Sequence, residues 1–216
     1  MKKLLLILLC LPMIGFAQDS ENEEIAKIFF NRGNANGNLG QYRLAIKDFT
    51  EAISYQNGFT EAYFKRGVAY AKLKKYDLAI DDYNLAILFK PNHWDAIFNS
   101  GLANKKIKNY SIAIELFTKI LLNAPWDKEL YAESYFNRGN TFAAMNQIPD
   151  AIDDYNSSIK IDKNYALPYA NRGYLKSING ISYCEDFKKA CELGDKKACK
   201  WYIEDKCDKW NYEFSL

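Results

Sequence analysis

The sequence predicts an all-α solenoid of about five helix-turn-helix repeats closed by a C-terminal capping helix. Glycine recurs at Gly33, Gly67, Gly101, Gly139 and Gly173, spaced 34, 34, 38 and 34 residues apart. Twelve residues after each of the first four stands an Ala-Ile pair (Ala45, Ala79, Ala113, Ala151), and sixteen after them an aromatic residue (Phe49, Tyr83, Phe117, Tyr155). Between these marks apolar residues fall at helical spacing, in halves of about thirteen residues that suit a helix pair joined by a tight turn. A pair that short cannot bury its own apolar face, so the copies must stack on one another.

The elements follow in order. Residues 1–17 read as an export signal: Met1-Lys2-Lys3, an apolar run from Leu4, then small residues before a cut between Ala17 and Gln18. A membrane anchor is the rival, but fourteen apolar residues interrupted by Pro12 fall short of the roughly twenty that a span needs. Lipidation at Cys10 is opposed by the large Leu9 before it. After a short segment at 18–25 come the repeats, 26–59, 60–93, 94–131, 132–165 and 166–193. The 38-residue spacing before Gly139 reads as one extra helical turn, Lys128 to Tyr131 capped by Asp127, or else as a longer loop. Residues 194–207 form the capping helix and 208–216 a tail. The four copies with Arg before glycine (Arg32, Arg66, Arg138, Arg172) also carry Asp before the second aromatic (Asp48, Asp82, Asp154, Asp186), whereas the third has Ser100 and Leu116. That correlation predicts an Arg–Asp pair, within one repeat or with the next.

Charge and composition narrow the function. Without Lys2 and Lys3 of the leader the 29 basic residues fall to 27, equal to the 27 acidic ones, and a neutral chain is not built for nucleic acid. The single histidine, His93, leaves no imidazole cluster for a metal and few general bases. It follows Pro91-Asn92 and reads as a surface turn residue. The acidic doublets Asp81-Asp82 and Asp153-Asp154 recur at one repeat position, which marks them as helix faces or pair members rather than a catalytic constellation. No enzyme activity, cofactor or small-molecule substrate is expected, and membrane contact only through a partner.

The recurring signature, with Pro91 and Pro125 closing the second and third copies, resembles the tetratricopeptide repeat. The resemblance implies a right-handed superhelix whose first helices line a concave channel that binds an extended peptide or a partner's helix. At one first-helix position stand Asn31, Asn99, Asn137 and Asn171, with Lys65 in the second repeat. This looks like the asparagine ladder of the O-GlcNAc transferase repeats, in which amides grip a peptide backbone. Asn34 and Asn140 stand three residues further on, and Phe30, Phe64, Phe98 and Phe136 one residue before the ladder, as apolar anchors beside it. Packing between neighbouring repeats is the other reading of these rings. The family's carboxylate-binding positions hold Phe30, Asn34, Lys65, Asp95 and Asn99; Phe and Asp in place of two lysines argue against an acidic C-terminal tail as ligand.

After leader removal every cysteine lies in 184–207. An even count in an exported chain points to disulfides. Along single helices Cys184 and Cys191, or Cys199 and Cys207, stand about 10 and 12 Å apart, too far to bridge. In a hairpin turning at Gly194-Asp195 the nested pairs Cys191–Cys199 and Cys184–Cys207 are symmetric about the turn. Zinc is the rival, without a Cys-x-x-Cys pair or a nearby histidine. The segment also looks like the cysteine-bearing ends of exported bacterial repeat proteins, and the Phe16-Ala17-Gln18 ending resembles export signals of the Bacteroidetes. Both resemblances imply a periplasmic or extracellular protein.

Overall fold

The structure is a computed structural model that describes residues 2–204 and Cys207, with side chains from Ser20 onward. Among the described residues it is all-helical. It divides into two compact units, 1–107 and 108–216. The first holds α1 (Lys2–Asn38), α2 (Tyr42–Tyr55), α3 (Thr60–Lys72), α4 (Tyr76–Phe89) and α5 (Trp94–Lys106). The second holds α6 (Tyr110–Asn123), α7 (Lys128–Ala144), α8 (Ile148–Ile161), α9 (Ala166–Ile178), α10 (Cys184–Glu192) and α11 (Lys196–Glu204). In each unit every helix packs against its chain neighbours.

The repeat spacing is set by how a first helix meets a second. On α2, Ala45, Phe49 and Ala52 fall on one buried face, as do Ala79, Tyr83 and Ala86 on α4 and Ala151, Tyr155 and Ser158 on α8. Each ring lies against a first-helix glycine. A Cβ on Gly33 would stand 2.7 Å from Phe49 Cε1, one on Gly67 2.8 Å from Tyr83 Cε1, and one on Gly173 2.8 Å from Phe187 Cδ1. Burying such a ring contributes about 2 to 3 kcal/mol, and only glycine lets it lie so close to the backbone.

First helices end in one way throughout. Gly40, Lys74, Lys108, Asn146 and Gly180 all have positive φ, between 59° and 73°, and each stands seven residues after its repeat glycine. In four of these turns the following N–H reaches back to a helix carbonyl: Gln41 to Asn36, Lys75 to Tyr70, Gln147 to Phe142 and Ile181 to Lys176, at 2.8–3.0 Å. This is the left-handed cap that closes a helix and reverses the chain. Second helices stop before Pro91 and Pro125, which cannot continue them.

Helix α7 has 17 residues where α3, α5 and α9 have 13. Its first turn is Lys128 to Tyr131, and the Asp127 carboxylate accepts from Leu130 N at 2.7 Å. The insertion is therefore helix rather than loop, and it begins before the 132 boundary expected for the fourth repeat. At the other end, α1 runs through both 17/18 and 25/26 without a break. In the last unit Cys191 joins Cys199 and Cys184 joins Cys207, with Cα atoms 4.5 and 5.4 Å apart. The expected tail, 208–216, lies outside the described residues.

Candidate functional site

The arginine before four of the five repeat glycines forks onto an aspartate, and in three of those repeats it is a two-sided bolt. Arg66 Nε and Nη2 donate to the two Asp82 carboxylate oxygens at 2.8 and 2.7 Å, and Arg138 binds Asp154 in the same fork at 2.8 and 2.8 Å. Arg32 and Arg172 bind Asp48 and Asp186. The partner is always in the same repeat. Nη1 points the other way, donating from Arg66 to Thr50 at 3.0 Å, from Arg138 to Thr118 at 2.9 Å and from Arg172 to Asn156, each on the preceding second helix. Those acceptors follow the second aromatic of their repeats, so their period was present in the sequence though not read there.

Burial pushes the Asp82 and Asp154 carboxyls above their ordinary value, against the lowering effect of the arginine hydrogen bonds. Arg138 is held above its own ordinary value first by its hydrogen bond to Asp154. A carboxylate buried at this cost fixes the angle between two helices more than it adds net stability. The third repeat's Ser100 is itself buried and accepts from Asn104 Nδ2 at its carbonyl, 2.9 Å.

The four Phe positions lie at different depths. Phe64 and Phe136 are buried, Phe64 lying 4.8 Å from His93 and 6.0 Å from Tyr83, Phe136 5.1 Å from Tyr165 and 6.0 Å from Tyr155, centroid to centroid. Phe30 is half-buried between Phe49 and Phe59, and Phe98 is half-buried. The first three fill the gap between a first helix and the helices beside it, because one residue before the ladder is the edge of the helix's inner stripe. They brace the ladder from below.

The ladder positions themselves reach the surface. Asn31 and Lys65 are exposed, and Asn99, Asn137 and Asn171 half-buried. Asn99 and Asn137 each donate Nδ2 to the carbonyl one turn back, Asp95 at 2.8 Å and Glu133 at 2.9 Å, which orients the amide along the helix. In the second unit Asn171 Nδ2 and the Tyr155 hydroxyl both donate to Asn140 Oδ1 at 2.7 Å. With both lone pairs of that oxygen engaged, Asn140 has its Nδ2 donor to present to a ligand. Asn34 lines an open pocket of about 220 Å³ with Asn38, Tyr42, Lys65 and Lys72. In the second unit a pocket of about 560 Å³ is lined by Asp127, Glu129, Glu133, Asp162 and Tyr165 among others. Burial first, then Glu129, raises the Glu133 carboxyl.

His93 is not a surface residue. It is buried, its Nδ1 accepts from Ala96 N at 3.4 Å as the cap of α5, and its Nε2 lies 3.3 Å from Glu61 Oε1. Among the described residues no group of three or more His, Cys, Asp or Glu is placed to hold a metal ion, and no helix is long and apolar enough to cross a membrane.

Family models described as tetratricopeptide repeat match residues 26–58, 60–93 and 132–165, segments in which the glycine, ring and Arg–Asp geometry recurs. The chain carries tetratricopeptide repeats. Its fold class, the all-α TPR solenoid, is that of several solved structures. MamA from Desulfovibrio magneticus RS-1 is 22% identical with a TM-score of 0.71, covering 78% of this chain and 94% of its own. YrrB, described as a TPR protein with an unusual peptide-binding site, is 19% identical with a TM-score of 0.67, covering 87% and 94%. PilF of Pseudomonas aeruginosa is 14% identical with a TM-score of 0.65, covering 80% and 75%. No curated protein matches the sequence.

Proposed function

We propose that this chain is an exported, non-enzymatic TPR scaffold that binds a protein or an extended peptide along its first-helix face. The observation that carries the reading is the oriented first-helix amide found in each unit, Asn99 in the first and Asn137 in the second. Asn99 and Asn137 are fixed in orientation by their own helices, and a fixed amide offers a donor or an acceptor to a peptide backbone at little entropic cost. The peptide-binding site named for YrrB supports the class of ligand. Export rests on the leader at 1–17 and is in keeping with the two disulfides, which persist in an oxidising compartment. Periplasm or extracellular space is the expected location, and mass spectrometry of the exported product should give Gln18 as its first residue.

Asn99→Ala with Asn137→Ala removes one half-buried amide from a first helix of each unit. Folding should change little, while binding to a partner co-purified from the cell envelope weakens by about 1 to 3 kcal/mol in calorimetry. Full-strength binding by the double variant overturns the first-helix face as the site.

A further inference from the structure

The dipeptide Asn-Gly occurs three times, as Asn36-Gly37, Asn57-Gly58 and Asn179-Gly180. In such a pair the glycine nitrogen can turn back on the preceding side-chain amide, because no Cβ stands in the way. The fold treats the three pairs differently. Gly37 lies inside α1, where backbone N–H groups are spent on the helix ladder, and Asn36 Nδ2 donates to Asp48 Oδ2 at 2.7 Å. The Gly180 N–H donates to Ser177 O at 3.4 Å, and Asn179 Nδ2 to Leu175 O at 2.7 Å. In both of these pairs the attacking nitrogen and the departing amide are held by other bonds.

At Asn57-Gly58 neither is held. Both residues are exposed, in the turn between α2 and α3 that Phe59 N closes by donating to Gln56 O at 3.0 Å. Among the described residues neither the Gly58 N–H nor Asn57 Nδ2 has a partner. The bond to this amide falls on its oxygen instead: the Tyr63 hydroxyl donates to Asn57 Oδ1 at 3.2 Å. Tyr63 is buried and stacked on Phe89 with ring centroids 5.7 Å apart, which fixes the donor. A fixed donor on a carbonyl oxygen stabilises the negative charge that the oxygen gains under attack.

We propose that Asn57-Gly58 is a self-modification site, at which the Gly58 nitrogen closes on Asn57 Cγ and converts the asparagine to aspartate and isoaspartate. Gly58 N loses its proton to solvent base and bonds to Cγ, the bond from Cγ to Nδ2 breaks, and Nδ2 leaves as ammonia after taking up a proton. Water then opens the cyclic imide. Opening at Cγ restores the ordinary chain with a carboxylate in place of the amide. Opening at the backbone carbonyl routes the chain through Cβ and Cγ and makes the turn one backbone atom longer. The sum is one water consumed and one ammonia released, with no electron transferred. The α2–α3 turn of the first unit is thereby altered irreversibly as the protein ages.

Peptide mapping by mass spectrometry tests this on the oxidised full chain held in mildly alkaline buffer, reading the mass gain of OH for NH2 at each pair and separating aspartate from isoaspartate. In the folded chain Asn57 should convert several times faster than Asn36 and Asn179. In urea, where the three pairs share the same neighbour and lose their different bonds, the rates should converge. Equal rates in the folded chain, or a faster reaction at either other pair, overturn the proposal. Gly58→Ala, whose Cβ would meet nothing nearer than Phe89 at 3.9 Å, should slow conversion at Asn57 several-fold and leave the other two pairs unchanged. Undiminished conversion in that variant, or aspartate formed without isoaspartate, overturns attack by the Gly58 nitrogen. Tyr63→Phe should slow Asn57 in the folded chain and not in urea; a folded-state rate that is unchanged or raised overturns the part given to the hydroxyl.

Discussion

Helices α3 and α4 are 13 and 14 residues long and meet through Gly67 beneath Tyr83 and Arg66 forked on Asp82, whereas α10 and α11 have 9 residues each and are bridged by Cys191–Cys199 at their turn. The longer pair buries five residues on α3 and four on α4. On α11 only Ala198 is buried. Helices of nine residues are below the length, about 12 to 15, at which helices persist unaided. Where the repeat has area to bury, packing and one charged fork fix it; where the area runs out, a covalent bond takes over. Helix α10 is the joint between the two regimes. Its Asp186 takes Arg172 and Lys176 from α9, and Phe187 lies under Gly173, while Cys184 and Cys191 tie it to the segment beyond.

The largest effect should come from filling the close approach. Gly67→Leu places a branched side chain where even a Cβ would be 2.8 Å from Tyr83 and 3.2 Å from the Ala79 carbonyl, and should cost roughly 3 kcal/mol or more in urea unfolding. Gly58→Ala is the control, since its Cβ would meet nothing nearer than Phe89 at 3.9 Å. Similar losses at the two positions would show that the ring-on-glycine contact is not what holds the regular pair.

Removing the covalent side comes next. Cys184→Ser with Cys207→Ser opens a loop of 23 residues' separation and should cost about 3 kcal/mol, confined to the last unit. Amide exchange in α10 and α11 should quicken while α3 and α4 keep their protection. An even loss over all these helices would erase the contrast between the regimes.

The charged fork is smaller and should be non-additive. Arg66→Ser or Asp82→Leu alone leaves a buried partner uncompensated, at a cost of about 2 kcal/mol each, and the double variant should recover at least 1 kcal/mol of the sum. Simple additivity in a double-mutant cycle would mean that the fork contributes no coupling. Arg32, whose side chain is 56% exposed against 16% for Arg66, should show the weaker coupling of the two.

The same contrast explains what could be read from the chain in advance. Fold class was legible because glycine, alanine and ring recur at fixed intervals, and each interval is a packing contact rather than a propensity. The Arg–Asp correlation was legible, but not its partner: the choice between the same repeat and the next depends on helix crossing, which spacing alone does not give. His93 departs from the surface reading because Pro91-Asn92 signals a turn, and turns are read as surface; here the buried ring packs at a tilt against Phe64 from within the turn. The depth of Phe64 and Phe136, both buried, has a related cause. Being one residue from the ladder moves a side chain about 100° around a helix, enough to turn it from the open face into the interior.

The smallest effect separates the two kinds of turn. The regular pair reverses at Lys74, with φ of 60°, and the stapled pair at Gly194, with φ of 94°. Both sit in the same closing motif, with Lys75 N donating to Tyr70 O and Asp195 N to Ala190 O at 3.0 Å. A lysine held in the left-handed region costs about 1 kcal/mol that a glycine does not. Part of that gain is offset by the greater freedom of glycine in the unfolded chain. The exposed Lys74→Gly variant should therefore be more stable by about 0.5 kcal/mol, read as a higher urea midpoint with unchanged slope. At the next residue, Lys75, φ is −88°, so Lys75→Gly brings the entropic cost without the relief and should be less stable than the parent chain. If Lys74→Gly were destabilising as well, the left-handed lysine would not be strained, and the turns of the two helix pairs would be equivalent despite their different residues.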